Sequence, residues 1–207
     1  MIRGRLAVAS IAVVLGACSG LLESDSPVLH AYVLKPPEVP AIERVLAQTV
    51  GVPRPFANPG LDTDRIILVT PDRRLDFFSG ARWAAPATEV VGAMTVDALR
   101  SSGAFGGVQG DAALFPADYF LQLNLRHFEA QYAQAGGVPE VRVTIDATLG
   151  RRLNRAVVST FTAESIVAAD GNRLSAVVAA FEKATQTAVL TLQSETIKGI
   201  AGDSTAQ

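Results

Sequence analysis

Two spacings of apolar residues alternate along this chain. From Tyr119 the apolar positions are odd-numbered, Tyr119, Leu121, Leu123 and Leu125, with Gln122, Asn124 and Arg126 between them. A period of two marks a strand with one wet face. The apolar phase then moves to Phe128, Ala130 and Tyr132. One extra residue in the strand, a β-bulge near Arg126–His127, accounts for the shift. Gly136-Gly137 closes that strand, and Val141, Val143, Ile145, Ala147 and Leu149 then alternate with Arg142, Thr144, Asp146 and Thr148. Such one-sided patterning predicts antiparallel pairing. Gly150 to Arg155 reads as a basic turn, and Ala156 to Ala163 as the returning strand.

The spacing changes to three and four in two places. Pro86 suits the first turn of a helix, and Val90, Val91, Met94 and Ala98 follow at helical spacing. This predicts a helix over 86–101, ended by Ser101-Ser102-Gly103. Asp170-Gly171-Asn172 offers a cap for a second helix, whose face is Leu174, Val177, Val178, Phe181, Ala184, Ala188 and Leu192. Residues 199–207 are small and polar and read as a frayed tail.

The first half is more broken. His30 to Leu34 (HAYVL) looks like a short first strand, and Arg44 to Val52 favours a strand over a helix. Pro53, Pro55 and Pro59 then impose an extended loop. RIILVT (65–70) and LDFFS (75–79) flank a Pro71-Asp72 turn and predict a hairpin. Phe105 to Val108 predicts a brief strand. With six to eight strands and two helices, the expected fold is α/β or α+β: a mixed, largely antiparallel sheet packed by two long amphipathic helices, in one domain over 30–198.

The first 17 residues belong to a different pattern. Arg3 and Arg5 precede an apolar run, Leu6 to Leu15, of about ten residues, the length of a signal segment and too short for a bilayer helix. Leu15-Gly16-Ala17-Cys18 matches a bacterial lipobox, so residues 1–17 are expected to be a signal peptide and Cys18 the acylated first residue of the mature chain. Cys18 is the only cysteine. Ser19 after it, in place of an Asp that would mark inner-membrane retention, points to the outer membrane facing the periplasm. Residues 18–29 are expected to be the acylated cysteine and a flexible tether.

The full chain carries 18 basic and 20 acidic residues, and losing Arg3 and Arg5 with the signal makes it more acidic still. That speaks against nucleic-acid binding. No second cysteine exists for a disulfide, so stability must come from an aliphatic core. His30 and His127 are the only histidines and have no ligand-spaced partners, so no metal or other cofactor is expected. No nucleophile elbow is present. The glycine-rich Gly103 to Gly110 follows a helix and lacks Lys, so a flexible turn is expected there, not a phosphate loop. Asp62, Asp64, Asp72 and Asp76 interleave with Arg65, Arg73 and Arg74 as an ion-paired loop face. A sharper reading has Arg65 anchor the loop before the RIILVT strand through bidentate bonds to a carboxylate or to a partner's backbone, with Asp62 and Arg65 as partner-binding residues. Trp83, the single tryptophan, is either a core filler or an interface anchor.

Leu61-Asp62-Thr63-Asp64-Arg65-Ile66, Leu75-Asp76-Phe77-Phe78 and Arg82-Trp83-Ala84-Ala85-Pro86, with Tyr32-Val33-Leu34 ahead of them, resemble the ABC-type transport auxiliary lipoprotein family. The resemblance covers roughly 30–195. It implies a TolB N-terminal-domain-like fold and an accessory, non-enzymatic role. The implied partners are an ABC permease and ATPase with an MCE-domain protein, in a system that moves lipids between inner and outer membranes. The resemblance leaves room for a homo-oligomer. Phe77-Phe78 stands where the family usually has a Tyr. Because TolB-like domains also serve there, the rival expectation is a lipoprotein activator of a cell-wall synthase.

Overall fold

The computed structural model describes residues 29–205, except 41, 43–45 and 113–114. The signal segment, Cys18 and the tether up to residue 28 lie outside the described residues, as do Arg44 and Val45 at the start of the expected second strand. Among the described residues, nine strands and two helices follow in chain order: β1 (His30–Tyr32), β2 (Leu46–Gly51), β3 (Phe56–Ala57), β4 (Arg65–Val69), β5 (Leu75–Trp83), α1 (Ala87–Ser101), β6 (Phe105–Gln109), β7 (Tyr119–Gln131), β8 (Glu140–Arg151), β9 (Val157–Ala168) and α2 (Leu174–Thr205). All nine strands belong to one open sheet.

The sheet is organised around β7. Along one edge β7 pairs antiparallel with β8 from Tyr119↔Arg151 to Gln131↔Glu140, and β8 pairs antiparallel with β9. Along its other edge β7 takes three short parallel strands in succession: β2 at Tyr119 and Phe120, β3 at Asn124 and Leu125, and β4 at Ala130 and Gln131. From there the sheet forks. β6 lies outside β2, and β5 and then β1 lie outside β4. Most paired positions are antiparallel because β7, β8 and β9 are long.

The bulge is where the alternation places it: the β7–β8 register slips between Leu125 and His127. Leu125 and Phe128 are both fully buried on either side of it. The slip keeps a long apolar stripe on one face of a twisting strand. That face also carries Val141, Val143, Ile145 and Leu149 of β8. α2 covers β8 and β9, and α1 packs against α2 and β6, so both helices lie over the apolar face.

Several boundaries depart from the expectation. β5 runs on to Trp83, so the tryptophan ends a strand and does not lie in a linker. The glycine-rich segment is largely strand β6, and a Cβ at Gly106 would stand 2.5 Å from the Ala47 carbonyl oxygen. Here glycine permits close strand approach. Asn172 does not cap α2. Its Oδ1 accepts a bond from the Tyr132 hydroxyl and its Nδ2 donates to the Gly136 carbonyl, tying the helix entry to the β7–β8 turn.

The expected frayed tail over 199–207 is corrected: α2 continues to Thr205, and only 206–207 fall outside the described residues. Gly199 does not break the helix. A Cβ there would stand 2.7 Å from Leu149 Cδ2, so the glycine lets α2 settle directly on β8. Ile200 beyond it is fully buried. Asp203, in the last turn, takes two bonds from Arg151, including one from Nε at 3.1 Å. It also accepts the Tyr119 hydroxyl at 2.7 Å.

Candidate functional site

The segment with the most motif content, residues 61–65, is a strap between the short-stranded part of the sheet and α1. Leu61 is buried beneath it. Thr88, in the first turn of α1, is also buried and donates its hydroxyl to Asp62 Oδ1 at 2.7 Å. The Ala87 amide donates to the Thr63 carbonyl, and the Trp83 amide to the Asp64 carbonyl. The other Asp62 oxygen lies 3.5 Å from the Arg54 guanidinium, which also reaches Glu89. A carboxylate at the start of a helix favours the helix dipole, so Asp62 and Glu89 both help fix the α1 entry.

Among the described residues Arg65 makes no bidentate pair with a carboxylate. Its guanidinium lies over the Phe77 ring, 4.4 Å from the centroid. The neighbouring Asp64 is taken by Arg82 at 3.3 Å. Phe77 therefore serves as the platform for a cation–π contact, which needs no hydroxyl.

Trp83 is the core filler of the two readings. It is only 1% exposed and meets Phe128 and Phe181 edge-on, with centroids at 5.8 and 5.1 Å. Phe128 and Phe181 are themselves 5.1 Å apart. The three rings join β5, β7 and α2. A side chain so enclosed is out of reach of a docking partner, so its placement as an interface anchor is corrected. Its Nε1–H has no partner among the described residues. The structure thus brings Asp62, Arg65 and Trp83 into one neighbourhood, where Trp83 is enclosed while Asp62 and Arg65 remain exposed.

The polar face of the sheet holds groups that no motif announced. Arg126 pairs with Asp146, which also accepts the Thr162 hydroxyl. Arg142 binds Glu164 through Nε and a terminal nitrogen, and Thr144 donates to the same carboxylate. These bonds, the arginine's first, hold the Glu164 carboxyl below its ordinary range. His127 Nδ1 lies 2.7 Å from the buried Glu129, which also receives Gln131 and the Phe128 amide. Thr144, opposite His127 in the register, gives its hydroxyl to Glu164 and not to the imidazole. The Arg126–Asp146 and Arg142–Glu164 contacts are closed cross-strand pairs, which strand alternation combined with the β7–β8–β9 order would reveal, whereas the His127–Glu129 group closes within β7.

The Tyr119–Arg151–Asp203 cluster was hidden by reading the tail as frayed. Hydrogen bonds from Arg151 and then Tyr119 hold the Asp203 carboxyl below its ordinary range. Burial, followed by the bond to Asp203, pushes the Tyr119 phenol up. No group of three or more His, Cys, Asp or Glu side chains able to hold a metal occurs among the described residues. No helix among them is long and apolar enough to cross a membrane.

A family model described as "ABC-type transport auxiliary lipoprotein component" matches residues 32–193. Among solved structures, a Xanthomonas campestris protein assigned to the DUF330 family is similar over 85% of this chain and 99% of its own. Its TM-score is 0.76 at 27% identity. An uncharacterised protein is similar over 78% of this chain and 99% of its own, with a TM-score of 0.61 at 13% identity, and shares the fold. No curated protein matches the chain.

Proposed function

Because the chain belongs to the ABC-type transport auxiliary lipoprotein component family, we propose that it is the non-catalytic, lipid-anchored accessory subunit of a transporter that moves lipids between the inner and outer membranes through an MCE-domain protein. The observation that carries this reading is the Leu15-Gly16-Ala17-Cys18 lipobox ahead of a domain that the family model matches over nearly its whole length. Ser19, in place of an Asp, supports an anchor in the outer membrane with the domain facing the periplasm.

The physical need for such a subunit is plain. Each methylene of a lipid tail left in water costs roughly 0.8 kcal/mol, so tails cross an aqueous gap only through a shielded path that meets the receiving membrane. This domain's own packing supports a docking role over a carrying one. Gly199 brings α2 into contact with Leu149, and Ala184, Ala188 and Leu192 are fully buried along the same helix, so that interface has no room for an acyl chain. Two or three acyl chains on Cys18 hold a protein firmly at one leaflet, and a short tether raises the local concentration of the domain there.

The test is Cys18→Ser in the native host. The variant should fold, lack acyl chains and lose lipid-transport function. Normal transport by a variant shown by mass spectrometry to be unacylated would overturn the reading. So would copurification of the wild-type protein with a penicillin-binding protein in place of an MCE protein.

A further inference from the structure

One end of the sheet carries apolar side chains that the core does not take. Leu153, at the tip of the β8–β9 turn, is 87% exposed. Phe115, in the loop before β7, is 76% exposed, and Val157, the first residue of β9, is 63% exposed. Phe120, also exposed, joins them. It lines one shallow groove with Leu153, Arg152 and Arg155, and an adjoining one with Phe115. Phe120, Gly150 and Val157 lie side by side in the register of β7, β8 and β9. Gly150 has no side chain to separate the other two. Four apolar groups from three segments therefore meet at one end of the sheet.

The β8–β9 turn at this end is basic although the whole chain is net negative, and the one carboxylate lining the groove with Phe115 and Phe120, Asp111, accepts the Arg54 amide. The turn reads Arg151-Arg152-Leu153-Asn154-Arg155. Arg151 is held by Asp203. Arg152 and Arg155 have no ion-pair partner among the described residues. Asp118, whose carboxyl also feels the Arg152 charge, is engaged first by the Thr49 amide and hydroxyl at 2.8 Å each. Two cations thus flank the most exposed leucine and the two exposed phenylalanines.

We propose that this end docks directly on a bilayer surface bearing anionic phospholipid, with Leu153, Phe115 and Phe120 in the headgroup layer and Arg152 and Arg155 on the phosphates. Apolar tips flanked by arginine fit that boundary because aromatic and aliphatic groups leave water there while guanidinium groups keep their anionic partners. The geometry permits the anchor's own bilayer to be the target. Residues 18–29 span on the order of 40 Å when extended, comparable with the roughly 40 Å length of the 13-residue β7. The inference stands apart from the transport reading, since it needs a bilayer and not a transporter.

The test places the full-length protein in vesicles with brominated acyl chains and reads quenching of an indole introduced by Leu153→Trp, against Glu140→Trp at the other end of β8. Trp83 is buried and supplies a constant background. In phosphatidylethanolamine–phosphatidylglycerol vesicles the indole at the turn should be strongly quenched and the control weakly. Arg152→Ala with Arg155→Ala in the Leu153→Trp background should lower the docked-to-free ratio about thirtyfold, and pure phosphatidylcholine should weaken docking similarly. Equal quenching at both positions would overturn the proposal. So would quenching indifferent to both arginines and to anionic lipid. A blue-shifted indole with no bromine quenching would overturn it too, because a protein surface would then cover the turn.

Discussion

The β7–β8–β9 meander and the fork of short strands on the other side of β7 are built on opposite plans. In the meander, three strands of 12 or 13 residues are joined by short local connections, each paired with its neighbour in sequence over nearly its whole length. In the fork, β1, β2, β3 and β4 have six residues or fewer, and only β4–β5 is a hairpin. The others pair parallel with partners far along the chain. The meander is held by local register. The fork is held by three aromatic rings, the 61–65 strap and the flank of β7. Local pairing gives stability that is spread out, whereas non-local pairing concentrates it in a few joints.

Breaking the joint should therefore have the largest effect. Trp83→Ala removes the ring that links β5 to Phe128 and Phe181, and should destabilise the domain by about 3–5 kcal/mol in urea unfolding. Gly199→Val overfills the contact with Leu149 on the meander side. A cost of about 1–3 kcal/mol is expected, with a single cooperative transition retained. Asp62→Ala strands the buried Thr88 hydroxyl and should cost about 1 kcal/mol. Its sharper signature is local: amide exchange should speed up in β4, β5 and the first turn of α1 while β8 and β9 keep their protection.

The lock at the far end of α2 adds a pH dependence to the comparison. Arg151 and Tyr119 hold Asp203 ionised below the ordinary carboxylate range. Its contribution is fully present above the unfolded-state pKa and is lost as pH falls through the depressed folded value. Asp203→Asn should thus lower the thermal midpoint at neutral pH, with the gap to wild type closing under strongly acidic conditions. Arg65→Ala should have the smallest effect, about 0.5–1 kcal/mol, because its contact with Phe77 is exposed.

The same contrast explains what could be read in advance. Tyr119 to Leu149 announces two strands and a bulge because period-two alternation over a dozen residues has no other good explanation. The α1 boundaries follow from Pro86 and Gly103. The fork was illegible where it is non-local: nothing near Phe56 says that it pairs with Asn124, or near Thr49 that it meets Gly107. Trp83 could be placed in the core only once β5 was known to reach it. Residues 199–207 read as a frayed tail because small and polar residues, glycine most of all, are weak helix formers. At Gly199 the missing side chain is what the contact with Leu149 requires. Of the candidate site, the charged strap was visible but its pairing was not: Asp64 took Arg82, and Arg65 took a ring. Leu153 within a run of arginines was in plain view, but a turn is not where apolar surface is sought.

The position of β7 in the chain has a consequence for biogenesis. β2, β3 and β4 all dock on a strand that begins at Tyr119. A polypeptide threaded out amino-terminus first, through a ribosome or a secretion pore, exposes those strands long before their shared partner emerges. Until then their edges are open to any neighbouring chain, so this protein has a built-in interval of dependence on holding chaperones, which ends when residue 131 clears the exit.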